Sequence, residues 1–133
     1  MTENSELYRG KSTETGEWVQ GYLFRIWEQA YILWGTVNDV PDMTEIDPQT
    51  VCKCTGLPDK NGKEIFENDI CDRKEEFPEI VTYHDGDWTL DYSYASGKES
   101  GYNYCNLGFY VINCGGVEVI GNIFDNPELV KGE

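Results

Sequence analysis

Short runs of β-branched and aromatic residues, separated by turn-forming residues, constrain the fold of this chain most. The clearest case is Glu79–Tyr92, EIVTYHDGDWTLDY, in which Asp85-Gly86 lies between two strand-like runs. Because Asp and Gly tolerate positive φ, this pair favours the tight type I′ turn of a β-hairpin. The pattern therefore predicts strands at Ile80–Tyr83 and Trp88–Tyr92.

Similar signals assign most of the remaining chain. The prolines of Thr36–Thr50 and the Gly and Ser residues of Ser93–Asn106 indicate loops. Asn126–Val130, NPELV, predicts a closing helical turn, since Asn can cap it and Pro suits its first position. Together these signals predict a mainly β (β-rich α+β) fold, a small antiparallel barrel or an open sheet with a short C-terminal helical turn. Further strands are predicted at Gly16–Phe24, Val51–Thr55, Phe109–Asn113 and Val117–Phe124, with a strand entry at Asn68–Cys71.

The segment from Leu23 to Trp34 is ambiguous. Its apolar residues recur at helical spacing, yet most are aromatic or β-branched and nothing caps a helix start. Two strands with a turn near Glu28-Gln29 are favoured, and a helix stays open. In both cases the aromatic residues of this segment are expected in the core. We also expect the following side chains to be largely buried, and to mark an oligomer interface if they are exposed: Trp18, Phe24, Phe66, Val119 and Ile123.

The 133 residues are predicted to form one domain over residues 1–133, with residues 1–7 frayed and a sub-lobe ending at about residue 58. The opening MTENSELYRGK resembles no signal or transit peptide, so a cytoplasmic location is expected. The longest near-apolar stretch, Gly21–Trp34, is too short for a bilayer, which argues against a membrane partner.

The net charge further limits the classes of partner that are expected. Twenty-five acidic residues face ten basic ones, a formal net charge of −15. Direct nucleic-acid binding is not expected, because phosphate contacts need clustered Lys and Arg. The charge indicates either a solvated surface that maintains solubility or a protein partner with a basic surface.

Few residues suggest a catalytic or metal-binding role. His84 is the only histidine, and a nucleophile would have to reach it from elsewhere. Cys52-x-Cys54 could join other thiols in a zinc site, but it lacks the usual Cys-x2-Cys spacing and a second pair. Buried, reduced thiols are expected instead, and no catalytic, cofactor or metal residue is assigned. The five cysteines are Cys52, Cys54, Cys71, Cys105 and Cys114.

The stretch TGLPDKNGKEIFENDIC, Thr55–Cys71, has the polarity of a binding loop. Calcium is disfavoured, since Lys63 stands where an EF-hand loop needs an oxygen ligand. Pro, Asn and Gly instead predict a turn, with Gly62 or Asn68 at positive φ. Its polar residues are therefore predicted to set backbone geometry.

Three segments resemble the blocks of the YopX family. They are YRGKSTETGEWVQGYLF, IDPQTVCKCTGLPDKNGKEIFENDI and VIGNIFDNPEL, within Tyr8–Leu129. Asn68 stands where the family usually has Gly, and Cys52 and Cys54 where it tends to have Gly and an aromatic residue. The resemblance implies a phage or prophage origin, a location in the host cytoplasm and a mostly β fold, with no established activity.

Three functional hypotheses follow. The first is a non-catalytic accessory protein that acts through protein–protein contacts, since Tyr and Trp suit interfaces. The second is an acidic mimic of DNA that occupies a basic groove on a host protein. The third is a small metal-binding protein or enzyme that uses His84 or the cysteines.

Overall fold

The structure is a computed structural model, and it describes residues 7–72, 77–84, 86–92, 94, 104–113 and 116–130. Of the residues 1–7 predicted to be frayed, residues 1–6 lie outside the described residues, while the Leu7 carbonyl accepts a hydrogen bond from the Cys54 amide over 2.9 Å. The chain divides into two compact units, residues 1–56 and 57–133. The mainly β prediction is confirmed: both sheets are antiparallel, and of the two predicted forms the described strands adopt open sheets.

The first unit is built on one antiparallel sheet with the strand order β4-β3-β2-β1-β5. Strand β5 runs through the boundary between the units, and β6 follows it in the sheet order. A short 3-10 turn, Pro48–Thr50, precedes β5. The strands are β1 (Tyr8–Lys11), β2 (Trp18–Ile26), β3 (Gln29–Val37), β4 (Val40–Ile46) and β5 (Cys52–Pro58).

This sheet curls until the end of β4 returns to the end of β1. Ser12 forms an isolated bridge with Ile46, and the Asp47 amide donates to the Lys11 carbonyl over 2.8 Å. A Cβ atom on Gly10 would collide with the Ile46 side chain, so glycine there leaves room for the burial of Ile46. The concave side holds a small core of Ala30, Ile32 and Ile46, flanked by Tyr8, Val19, Leu23 and Val51.

The second unit has a sheet of order β10-β9-β8-β7-β11 and a helix that packs on its core. Its buried core consists of Ile65, Cys71, Val81, Leu90, Leu107 and Val117. Its elements are β6 (Glu64–Phe66), β7 (Asp69–Asp72), β8 (Glu79–His84), β9 (Asp87–Asp91), β10 (Tyr104–Asn106), α1 (Leu107–Asn113), β11 (Glu118–Asn122) and a 3-10 turn, Pro127–Val130.

Both predicted hairpins are confirmed. Strands β8 and β9 pair from Ile80↔Asp91 to His84↔Asp87, and Gly86 in the turn has φ 81°. Strands β2 and β3 pair as far as Ile26↔Gln29, so the ambiguous segment is two strands with Trp27-Glu28 at the turn. The strands predicted near Val51, Ile70 and Val117 and the closing turn at Pro127–Val130 are also present.

The strand predicted at Phe109–Asn113 is wrong, because this segment belongs to helix α1. The Asn106 side chain accepts a hydrogen bond from the Phe109 amide over 2.7 Å and so caps the first turn. Leu107 is fully buried, and Tyr110 and Val111 pack against the same core at i+3 and i+4. Packing of that stripe outweighs the β propensity of the individual residues.

The loop predicted over Thr36–Thr50 is also wrong in its middle, where β4 runs from Val40 to Ile46. Strand β4 lies at the end of the sheet among the described strands, a position in which a proline such as Pro41 is tolerated. Ile46 is buried at the end of the strand, and this burial favours strand pairing over a loop.

Candidate interaction surface

The Thr55–Cys71 motif forms a turn organised by the Asp59 carboxylate. Its Oδ1 atom accepts hydrogen bonds from the amides of Asn61, over 2.8 Å, and Lys63, over 2.9 Å. Its Oδ2 atom accepts from the Val119 amide in β11 over 3.1 Å. Gly62 in the same turn has φ 87°, which confirms the predicted positive φ. The carboxylate therefore fixes the turn and attaches it to β11.

Asp59 is only 5% exposed, and its ionised form is the one that the turn holds. Burial by itself raises the pKa of the carboxyl, but the amides of Val119, Lys63 and Asn61 and the charge of Lys63 outweigh it. The net result is a pKa lowered from the ordinary value of 3.8. The carboxylate is thus charged at neutral pH, and both of its oxygens accept hydrogen bonds from backbone amides.

The second and third family-like blocks meet at Asn68. Its amide donates to the Val81 carbonyl over 2.8 Å, and its carbonyl accepts from the Ile123 amide over 3.1 Å. Asn68 has φ 72°, a conformation that Asn tolerates better than most residues. The neighbouring Asp69 is 1% exposed and accepts from the Phe66 amide over 2.8 Å. Polar side chains here hold the backbone of the second unit.

The third block forms a turn of the same kind. The Asn122 Oδ1 atom accepts from the amides of Phe124 and Asp125 over 3.0 and 2.9 Å. The Asn126 Oδ1 atom accepts from the Asn122 amide over 3.2 Å, so Asn126 anchors the end of β11. A Cβ atom on Gly121 would clash with Asn126. These polar residues serve turn geometry, which is a structural role.

The candidate chemical residues are not assembled into a site within the described part of the chain. Cys52, Cys54 and Cys71 are buried as thiols. Burial, followed by the charges of Asp69, Asp59 and Glu79, raises the pKa of Cys71 far above its ordinary value, which suppresses the nucleophilic thiolate. His84 is exposed at the end of β8.

Metal ligation was the other chemical hypothesis. Among the residues that the structure describes, no group of three His, Cys, Asp or Glu side chains is placed to hold a metal ion. The side chain of Cys105 and the whole of Cys114 lie outside those residues. The expectation that no zinc copurifies therefore stays a prediction, to be checked by elemental analysis of protein prepared without chelator.

An exposed apolar surface lies on strands β2, β3 and β4 of the first unit. Strand register places Tyr22 beside Leu33 and Leu33 beside Met43, while Phe24 pairs with Tyr31. The Phe24 and Tyr31 rings lie 6.4 Å apart between centroids. We call these five side chains the aromatic face. Tyr22 is 58% and Phe24 43% exposed, so the prediction that Phe24 is largely buried is wrong.

Strand alternation explains why these side chains face solvent. Leu23 and Ile32 are register partners that point to the small core of the curled sheet, and their sequence neighbours point to the opposite side. Glu45, the register partner of Tyr31, is the charged side chain in these rows. An apolar sheet surface of low charge, on a chain of net charge −15, resembles the centre of a protein interface.

Two tryptophans of the β2–β3 hairpin are also exposed, outside the aromatic face, and the expectation that they lie in the core is wrong. Trp27 occupies the β2–β3 turn at φ 56° and is 93% exposed. Trp34 is 51% exposed, and its indole Nε1 donates to the Thr44 hydroxyl over 2.9 Å. An open groove of about 390 Å³ lies beside Trp34 and is bounded further by Gln20, Tyr22 and Leu33.

Period-two alternation in β2 and β3 was the sequence signal that could have separated the two faces. It distinguishes Leu23 from Phe24, but both are apolar, so it cannot tell which of them is covered. The aromatic face was therefore recognisable only as an apolar strand surface.

A family model described as YopX protein matches residues 7–131. A crystal structure of protein EF1440 from Enterococcus faecalis is similar in fold, with a TM-score of 0.52 and 23% sequence identity. The similarity covers 93% of this chain and 96% of EF1440. No curated protein matches the chain. None of the helices in the described residues has the length and hydropathy needed to cross a bilayer.

Proposed function

The chain belongs to the YopX family, and we propose that it is a non-catalytic phage or prophage accessory protein that binds another protein through the aromatic face. The host cytoplasm is its proposed location, on the basis of the family resemblance. The observation that carries the proposal is the exposure of Tyr22 and Phe24 on a sheet surface with little charge.

Composition of this surface supports a protein partner. Aromatic residues and Met are enriched at the centres of interfaces, and Lys, Glu and Asp are depleted there. Tyr22, Phe24 and Met43 are exposed and belong to paired strands, so a partner would meet an ordered surface. A backbone that is already held in a sheet loses less entropy on binding than a mobile one, which favours affinity.

The polar side chains that could have suggested a catalytic site form structural hydrogen bonds instead. The Asp59, Asp69 and Asn122 side chains accept hydrogen bonds from backbone amides. The Cys71 thiol is buried and its pKa is raised. These observations support a binding role over catalysis by the same residues.

Affinity capture from the presumed bacterial host tests the proposal. The bait proteins are the natural chain, a Tyr22→Ser/Phe24→Ser variant, and an Ile112→Ser control. Ile112 is 75% exposed on α1 in the second unit, so the control removes an exposed apolar side chain that does not belong to the face. Thermal melting of each bait confirms that the variants are folded.

A host or phage protein retained by the natural chain and the control, and lost with the face variant, would support the proposal. Capture of no protein that depends on Tyr22 and Phe24 would contradict it. A partner that binds the face variant equally, but is released as NaCl is raised, would instead support the acidic DNA mimic, because counterion-screened contacts weaken with salt.

A further inference from the structure

The hairpin of strands β2 and β3 carries a protruding side chain at its turn and a groove towards the other end of its strands. Trp27 projects from the turn, and Tyr22 and Leu33 bound the groove. Trp27 lies five positions after Tyr22, which corresponds to about 17 Å at the usual rise of a strand. Gln20 and Tyr22, two residues apart in β2, place the groove beside the aromatic face.

Trp27 contributes little to its own fold. Its φ of 56° is a conformation that suits Gly and is unfavourable for a bulky side chain. With 93% of its surface exposed, its indole gains almost no burial within the chain. A residue that is both strained and solvent-exposed indicates a contact made outside the chain.

We propose that two copies of this chain pair through their β2–β3 hairpins, with Trp27 of each copy in the groove of the other. A twofold axis beside Phe24 and Tyr31 would bring both turns to both grooves at once, since an isologous interface repeats each contact. The aromatic faces of the two copies would then cover one another. This self-association goes beyond the partner binding proposed above.

The volume of the groove and the exposed aromatic area favour a second copy of the chain as the occupant. The groove volume of about 390 Å³ lies in the range of sites that hold a small ligand, so it can accept one indole. At 150–250 Å² for a fully buried aromatic side chain, three exposed aromatics supply about 400 Å² per copy. A standard interface needs about 800 Å² per partner, and the rest can come from Leu33, Met43 and the adjoining backbone. The three aromatics are Tyr22, Phe24 and Trp27.

Charge also matches in this arrangement. Glu28 is exposed at the turn next to Trp27. At the groove end, Arg9 is the register partner of Gln20, and Arg9 and Lys11 lie over the Trp18 ring at 4.6 and 5.4 Å. The pairing would bring the acidic turn of one copy towards the basic pair of the other, twice per dimer.

Pairing would cover Tyr22 and Phe24 and so compete with the partner protein. This one consequence rests on the proposed function. A dimer would keep the aromatic face out of water until a partner displaces the second copy.

Sedimentation equilibrium of the full chain in about 150 mM NaCl, where charges are screened beyond about 8 Å, tests the pairing. The natural chain should dimerise with a dissociation constant below about 100 µM. Trp27→Gly should weaken the dimer at least about tenfold, as expected of a central Trp anchor. Because Gly suits φ 56°, this variant should melt no lower than the natural chain, so lost dimer cannot be attributed to unfolding.

Two further variants sharpen the result. Glu28→Lys should weaken the dimer at least about threefold, because it places like charge beside Arg9. The control Ile112→Ala removes an exposed apolar side chain of the second unit and should leave the dissociation constant within about twofold.

A natural chain that stays monomeric at about 100 µM, or a Trp27→Gly variant that dimerises as well as the natural chain, would overturn the proposal. The two proposals fail separately. A monomer that still captures a partner through Tyr22 and Phe24 would contradict only the dimer proposal. A Trp27-dependent dimer that captures no such partner would contradict only the proposed accessory role.

Discussion

Aromatic side chains lie exposed on the sheet of the first unit, whereas carboxylates lie buried in the second. Trp27 is 93% and Tyr22 58% exposed in residues 1–56. Asp69 and Glu79 are each 1% exposed and Asp59 5% in residues 57–133. Each unit thus reverses the usual distribution of polar and apolar side chains at a few positions.

The reversals have different physical reasons. A buried carboxylate is tolerated when it accepts strong hydrogen bonds, and Asp59 and Asp69 accept them from backbone amides. An exposed aromatic residue has no such compensation within the chain. The polar motif residues of the second unit therefore maintain the fold, while the aromatic face of the first unit is left exposed to solvent.

The largest expected effect comes from removing the buried carboxylate of the second unit. Asp59→Ala leaves the amides of Asn61, Lys63 and Val119 without their acceptor and should cost about 2–4 kcal/mol of unfolding free energy. Denaturant unfolding measures the loss, and hydrogen exchange should show faster exchange at those three amides.

Asp47→Ala is the matched control in the first unit, since Asp47 is exposed and accepts one amide, that of Gln49, over 3.0 Å. Its loss should be clearly smaller than that of Asp59→Ala. Equal losses would show that burial of Asp59 does not distinguish the second unit.

A smaller effect is expected from a methyl group at the curl of the first sheet. Gly10→Ala places a Cβ atom against the Ile46 side chain and should cost about 1–3 kcal/mol by overpacking. Adding Ile46→Val should recover part of the loss, because it shortens the side chain in contact. Gly35→Ala is the control, since a Cβ there meets no atom within 4 Å. If Gly10→Ala unfolds no more easily than Gly35→Ala, the curl does not depend on Gly10.

The Asp59 contribution should depend on pH. Its folded pKa is lowered from 3.8, so its stabilising effect is fully present above pH 3.8 and is lost as pH falls through the lower folded pKa. The difference in unfolding free energy between the natural chain and Asp59→Asn should be largest near neutral pH and shrink in acid. Denaturant unfolding over this pH range measures it. A difference that stays constant below pH 3.8 would show that the ionised form is not what the turn stabilises.

The smallest expected effect is that of salt. The second unit carries sixteen acidic and six basic side chains, the first nine and four. Moderate NaCl at pH 7 screens this repulsion and should raise the melting midpoint by a few degrees, with the second unit gaining more protection from hydrogen exchange. A flat or falling midpoint would mean that the acidic groups are already paired or bind a specific cation.

Much of the fold followed from local signals. The β8–β9 hairpin with Gly86 in its turn, a positive φ at Gly62 or Asn68, and the closing turn at Pro127–Val130 were predicted correctly. Helix α1 was missed because Phe109–Asn113 has strand-like composition, and its stripe of buried residues begins two positions earlier at Leu107. Strand β4 was missed because Pro41 signals a loop unless the strand lies at the end of a sheet.

The sequence by itself determined the turns, since positive φ and side-chain capping depend on one or two residues and act wherever those residues occur. Only the tertiary structure decided which apolar strand surface is covered. Leu23 and Phe24 are both apolar, and the curl that closes Ile46 onto the end of β1 turns one inward and leaves the other in water. Burial depends on residues far apart in the chain, and the aromatic face therefore exists only once the sheet has formed.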